Sequence, residues 1–351
     1  MADDVDEQVE LLLRAVTERR GTDLLFAPGA PPTARIHGGL VRLSDEPMTA
    51  ESTAALGRQL AGPRWEELLA RRQIDFSFPF GDVARVRANL FFQRGTLAGA
   101  LRVIPYEIPS LEQIGAPEAC EELIHRPNGL VLVTGPTGSG KSTTLAAMID
   151  RINRERAVHI ITIEDPIEYV HGHRRAMVVQ REVGSDAHDF AGALRAALRE
   201  NPDVVLVGEM RDLETISATL TLAETGHLVF ATLHTNDTAQ AIDRIVDVFP
   251  PQQQRQVQIQ LSQTLAAVIH QRLLPRADGA GRVAVFEVML GTPAVHNLIR
   301  DGKSNQLRNV LATGAAQGMR TLEADLRRLQ QAGTISREVA VAESLHPNEV
   351  E

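Results

Sequence analysis

Lys141 and Ser142 close the run Gly135-Pro136-Thr137-Gly138-Ser139-Gly140-Lys141-Ser142-Thr143. A lysine ammonium brings a positive charge with three donors, and a serine hydroxyl is a ligand for a hard cation. Glycines at 135, 138 and 140 let successive backbone N–H groups curl around an anion. The spacing G-x-x-x-x-G-K-S is that of a phosphate-binding loop. It assigns Lys141 to the β and γ phosphates of a nucleoside triphosphate and Ser142 to magnesium. ATP and Mg2+ are therefore the expected cofactors, with residues 135–143 as their binding loop.

Phosphoryl transfer also needs a carboxylate to orient or deprotonate the attacking water. Two candidates end apolar runs. Glu209 follows Val204-Val-Leu-Val207, where a Walker B acid normally stands, and is the first choice. Glu164 follows His159-Ile-Ile-Thr-Ile163 and is the second, as the base or as a magnesium ligand through water. His234 follows Leu228-Val-Phe-Ala-Thr232 by two residues; it either senses the γ phosphate by hydrogen bonding or simply ends a strand. Arg211 reads as structural or inter-subunit, because Asp212 beside it can cap the next helix. Arg195 and Arg199, four apart, tie their helix to carboxylates. His171-Gly-His173 has metal-ligand types but no third ligand, and Arg174 and Arg175 disfavour a cation there.

These side chains need a scaffold that gathers them. Short apolar runs at 129–133, 159–163, 204–207 and 228–232 read as strands, and helical patterns at 141–149, 190–199 and 213–225 lie between them. Such alternation implies a mostly parallel sheet covered on both faces, with ligands bound beyond the carboxyl ends of the strands. Lys141, Glu164, Glu209 and His234 are thus expected on one edge. Beyond Pro250 the pattern predicts a helix over 252–265, with Val257, Ile259, Leu261 and Leu265 on its buried side. A hairpin around Asp278-Gly279 should follow, then helices over 293–300, 305–311, 322–331 and 337–343.

The first hundred residues lack any nucleophile or metal cluster. Residues 7–16 are amphipathic. Asp23–Ala27, Thr33–His37 and Leu40–Leu43 read as strands, helices are expected from Thr49 to Leu60 and from Pro63 to Arg71, and Ile74–Phe80 as a strand. In 83–92, Ala84, Val86, Ala88 and Leu90 alternate with Arg85, Arg87 and Asn89. In 96–104, Leu97, Leu101 and Val103 face inward and Arg102 outward. The arginines form either a solvated sheet face or a row facing an anion. The reading divides the chain into a small α+β domain over 1–104, a proline-marked linker over 105–113 and an α/β domain over 114–351.

Composition narrows the classes further. At 351 residues the chain suits two cores, and 43% hydrophobic with 23% charged residues is a folded, globular composition. The single cysteine, Cys120, excludes an internal disulfide framework and suggests a reducing cytoplasm. The acidic start Met1-Ala-Asp-Asp-Val-Asp-Glu is unlike a signal peptide. A net charge of −9 argues against nucleic acid as the main partner.

Three further stretches carry a family resemblance: Ile163-Glu-Asp-Pro-Ile-Glu168, Asn201-Pro-Asp-Val-Val-Leu-Val-Gly-Glu-Met-Arg-Asp212 and Ala223-Glu-Thr-Gly-His-Leu-Val-Phe-Ala-Thr-Leu-His-Thr235. With the phosphate loop they resemble the acidic, Walker B and histidine boxes of the secretion ATPase superfamily. Asp75-Phe-Ser-Phe78, Arg85-Val-Arg-Ala-Asn89, Thr292-Pro-Ala-Val-His-Asn-Leu-Ile-Arg300 and Gly318-Met-Arg-Thr-Leu322 resemble the type IV pilus retraction ATPases. The resemblance implies a PAS-like amino-terminal domain and a RecA-like P-loop domain with a helical carboxyl-terminal bundle. It also implies a homohexamer with nucleotide between subunits, and a motor acting on an inner-membrane pilus platform. Arg87 and Arg102, among Arg85, Arg87, Arg94 and Arg102, would then approach the γ phosphate. Three departures stand out. Gly208 replaces the Walker B aspartate, His296 the arginine of the tail motif, and Leu25 the histidine of an Asp-Leu-His strand start. Rival readings are an accessory retraction paralogue, a type II secretion or pilus-extension ATPase, and a non-catalytic nucleotide-binding assembly subunit.

Overall fold

The computed structural model describes residues 7–19, 21–36, 38–279 and 281–350. The acidic start up to Asp6 and His37 lie outside the described residues. The chain forms two compact units, Met1–Glu107 and Ile108–Glu351.

The first unit holds α1 (Glu7–Glu18), β1 (Gly21–Phe26), β2 (Thr33–Ile36), β3 (Gly39–Arg42), α2 (Ala50–Ala61), α3 (Trp65–Arg71), β4 (Gln73–Phe80), β5 (Ala84–Gln93) and β6 (Thr96–Pro105). The strands make one antiparallel sheet in the order β3-β2-β1-β6-β5-β4. Strict alternation in β5 puts Ala84, Val86, Ala88 and Leu90 into the core with Leu13, Leu56 and Leu68 of the three helices. Thr49 caps α2 through a capping box with Ser52. The second of these helices starts later than its sequence pattern suggests: Pro63 lies in a 3-10 turn, Gly62–Arg64, and α3 begins at Trp65.

The second unit continues with α4 (Ala119–Leu123), β7 (Gly129–Thr134), α5 (Lys141–Glu155), β8 (His159–Glu164), β9 (Met177–Glu182), α6 (Phe190–Ala197), β10 (Val204–Val207) and α7 (Leu213–Glu224). Then come β11 (Leu228–Leu233), α8 (Thr238–Asp247), α9 (Pro251–Thr264), β12 (Leu265–Pro275), β13 (Arg282–Leu290), α10 (Pro293–Arg300), α11 (Leu307–Thr313), α12 (Leu322–Gln331) and α13 (Arg337–Glu343). The sheet order is β13-β12-β7-β11-β10-β8-β9, parallel throughout except for the β12–β13 hairpin. Both faces are covered. Leu130 and Leu132 of β7 join the core with α6 to α11, while Val131 and Val133 join the core with α4 and α5. A strand buried on both sides reads as a continuous apolar run, which is why β7, β10 and β11 are wholly buried. Leu132→Ala in such a strand costs about 2–5 kcal/mol.

Two departures from the sequence pattern matter. Leu265 begins β12 instead of ending α9, because the chain passes from helix to strand with no breaker and pairs at once with β7. The Asn305–Leu311 pattern becomes a 3-10 turn at Ser304–Gln306 followed by α11. The carboxyl-terminal helices divide their packing: Val295, Ile299, Leu307 and Leu311 join the sheet's helical face, whereas α12 and α13 cover Leu274 and Val285 of the hairpin. Buried carboxylates fasten this hairpin. Glu287 accepts from Thr238 and from Leu322 N, and Asp325 from Phe286 N, Arg320 and Arg328. Among the described residues, no helix is long and apolar enough to cross a membrane.

Candidate functional site

The parallel sheet determines where chemistry gathers. The loop after β7 and the ends of β8, β10 and β11 border one cavity of about 260 Å3, and Lys141, Ser142, Glu164, Glu168, Glu209 and His234 line it. The four side chains expected on one edge are therefore brought together.

Residues 135–140 curl as the glycines demand. Gly135, Gly138 and Gly140 adopt φ of 141°, 79° and 90°. A Cβ at Gly135 would sit 2.2 Å from the Gln271 carbonyl oxygen, so a side chain there is excluded by backbone. Lys141, 7% exposed, donates to the carbonyls of Gly135 at 2.9 Å and Pro136 at 3.0 Å. Burial lowers its pKa, and the charges of Glu209 and Glu168 oppose that shift. Thr137 and Gly138 line the cavity. Thr143 shares a 2.9 Å hydrogen bond with the Tyr169 hydroxyl. Ser139 Oγ is buried without a partner, an orphaned donor inside the loop. An orphaned hydroxyl and the N-terminus of α5 together fit an anion of phosphate type.

The two carboxylates differ in their surroundings. Glu209 accepts from Arg211 Nη2 at 2.7 Å and lies 3.2 Å from His234 Nε2. Burial would raise its pKa, but the hydrogen bond and charge of Arg211, together with His234 beside it, outweigh it and hold the carboxyl below the ordinary range. His234 Nδ1 lies 3.5 Å from Lys141 Nζ. An ammonium only donates, so Nδ1 accepts and Nε2–H faces Glu209. The order Lys141, His234, Glu209, Arg211 is a connected line of polar contacts.

Among the described residues, no cation is ion-paired with Glu164. Thr162 Oγ1 donates to Oε1 at 2.6 Å and Gln180 Nε2 at 3.3 Å. Burial dominates over those hydrogen bonds and pushes the carboxyl up to about 7. Gly208 explains how close the two strand ends run. Its amide donates to Ile163 O at 2.7 Å, and a Cβ at 208 would lie 3.1 Å from Glu164 Cα and 3.2 Å from Ile163 O. An aspartate at 208 would press on the acidic box.

Other candidates have local explanations. Asp212 caps α7 by accepting from Thr215 N, and Arg195 pairs with Glu214 at 3.5 Å on the surface. His173 Nδ1 accepts from Val178 N, while His171 Nδ1 is buried without a partner and burial lowers its pKa to about 4. His296 Nε2–H donates to Leu265 O, 2.9 Å away, at the junction of α9 and β12. In the first unit, Arg87 stands directly opposite Arg102 across β5 and β6, and Arg102 is ion-paired with Asp23 at 3.0 Å. Like charges facing one another cost stability, and one aspartate offsets them. Sequence reasoning overlooked Thr162, Tyr169 and Gln180. The short apolar run Ala176-Met-Val-Val179 was the one signal for the strand that carries Gln180.

The type II/IV secretion system protein family model matches residues 100–341. The type IV pilus retraction ATPase PilT of Pseudomonas aeruginosa is 47% identical over 333 residues, 94% of this chain and 96% of its own length. The twitching motility protein of Neisseria gonorrhoeae is 48% identical over 310 residues, 88% of this chain and 83% of its own. A crystal structure of the pilus retraction motor PilT with bound ADP matches at a TM-score of 0.89 and 47% identity, covering 97% of this chain and 98% of that one. The likeness thus reaches well beyond the phosphate loop, into both units. With its P-loop, its parallel sheet and the polar edge they share, the chain belongs to the type II/IV secretion system protein family, in the branch of the pilus retraction ATPases.

Proposed function

We propose that this protein is an ATP-hydrolysing motor for type IV pilus retraction. One observation carries the reading: 47% identity to PilT over 94% of the chain, which includes both units. The phosphate loop, the two carboxylates and His234 supply what a mechanochemical ATPase requires of its own residues.

In this reading Lys141 binds the β and γ phosphates and Ser142 holds magnesium, which neutralises phosphate charge when bound. Glu164 is the general base. Sequence position ranked Glu209 first, but environment favours Glu164: a carboxyl that titrates near 7 can take a proton from water near neutral pH, whereas one held low by Arg211 is a weak acceptor. Glu209 keeps its charge, orients His234 and suits the neighbourhood of a cation. His234 reports the state of the γ phosphate through Lys141.

The assembly is a homohexamer, with Arg87 and Arg102 donating to the nucleotide of a neighbouring copy. Arg87 faces Arg102, whose aspartate partner, Asp23, stands on the other neighbouring strand and also pairs with Arg35; such a cationic row suits an anion. The partner is the inner-membrane platform of the pilus machine. Deletion of the gene tests the physiological role. Hyperpiliated cells that do not twitch, restored by wild type and not by Lys141→Ala, support retraction; bald cells would contradict it.

A further inference from the structure

Strand β9 runs along the outer edge of the parallel sheet, and two of its side chains turn toward the acidic box. Gln180 Nε2 donates to Glu164 Oε1 at 3.3 Å and to Tyr169 O at 2.8 Å, while Gln180 Oε1 accepts from His171 N at 2.7 Å. Glu182 Oε2 accepts from Ile167 N at 3.1 Å. Both ends of the Gln180 amide are thus engaged. A flipped amide would aim oxygen at Glu164 and at the Tyr169 carbonyl, three acceptors without a donor among them. Only one orientation satisfies the site.

We propose that Gln180 is a positioning residue for Glu164, acting with Thr162 to fix the carboxyl in the rotation that water activation requires. Both donors meet the same oxygen, Oε1, so the carboxyl cannot turn without losing both. Gln180 simultaneously holds the backbone at 169 and 171, so the acidic box and the carboxyl move together. Thr162 is fully buried in β8, beside the edge strand, and its hydroxyl is engaged in this 2.6 Å bond. The inference rests on the assignment of Glu164 as base.

The test is ATP hydrolysis by the full chain, with ADP binding measured on each variant as a check of folding. Gln180→Leu and Gln180→Glu should lower kcat by about tenfold, the weight of one hydrogen bond to a charged group, while KM stays within about twofold. Thr162→Val should behave alike, and Thr162→Ser should recover most of its loss. In a Glu164→Gln background the same substitutions should add no further loss, because the group they position is already gone. Losses that multiply in the double variants would assign Gln180 a general structural role and overturn the inference, as would a raised KM with kcat unchanged. Should Gln180→Leu fail to bind ADP, the isosteric Thr162 pair decides. Full-rate hydrolysis by Glu164→Gln alone is a separate result: it removes the base assignment itself.

Discussion

Glu164 and Glu209 end neighbouring strands of one sheet and border one cavity, yet the protein treats them oppositely. Glu209 is ringed by positive or donating groups, Arg211 and His234, and stays ionised. Glu164 has only neutral donors, and burial pushes it to about 7. On the proposed reading, the charges set beside an acid, and not its place in a motif, decide which one moves a proton. One acid holds its charge for electrostatics. The other stands ready to exchange a proton.

The comparison can be broken by substitution. Lys141→Ala should give the largest effect, since it removes the group that faces both phosphate and His234: nucleotide binding measured by calorimetry should become undetectable. Glu164→Gln should come next. It keeps ADP affinity within a few-fold but lowers kcat by at least about 10², the lower end of what acid–base catalysis contributes. Glu209→Gln should act differently, raising the magnesium concentration for half-maximal rate by about tenfold, a charge-assisted interaction lost. If the Gln variants at 164 and 209 show the same magnesium dependence, the two acids share one role and the contrast falls. Arg211→Ala should be mildest. This pair is largely exposed on the arginine side, 70% for Arg211, so its loss should change thermal stability by at most about 1 kcal/mol.

Stability should respond to pH with a definite sign. Glu164 binds its proton more tightly folded than unfolded, since its value rises from 4.5 to about 7. Its contribution to stability is full at low pH and is lost as pH rises through about 7. Glu209, held low, contributes stability above the ordinary carboxylate range and loses it in acid. Chemical denaturation between pH 4 and 8, compared with Glu164→Gln, should show the first slope vanish in the variant.

Much of this arrangement is legible in the sequence because it is local. A glycine-spaced loop between strand and helix, apolar runs ending in Glu164, Glu209 and His234, and the alternation of Ala84 to Leu90 with arginines each depend on a few adjacent residues. What escapes is set by tertiary partners. Strand β9 is an edge strand with only Val178 fully buried, so its apolar signal is weak. Leu265 follows a helix without a glycine or proline, and pairing with β7, not propensity, turns it into strand. Helix α8 carries a clear Asp237 cap but joins the histidine-box loop directly. The ranking of the two acids was not readable at all: it depends on Arg211 reaching Glu209 and on Gln180 reaching Glu164 from another strand.

The pH dependence of kcat/KM for ATP, measured side by side on wild type, Glu164→Gln and Glu209→Gln, addresses the division of labour most directly. We expect a limb rising through about pH 7 in wild type that persists at reduced height in Glu209→Gln and is absent from the residual rate of Glu164→Gln. A limb that survives in Glu164→Gln and disappears in Glu209→Gln would contradict the assignment.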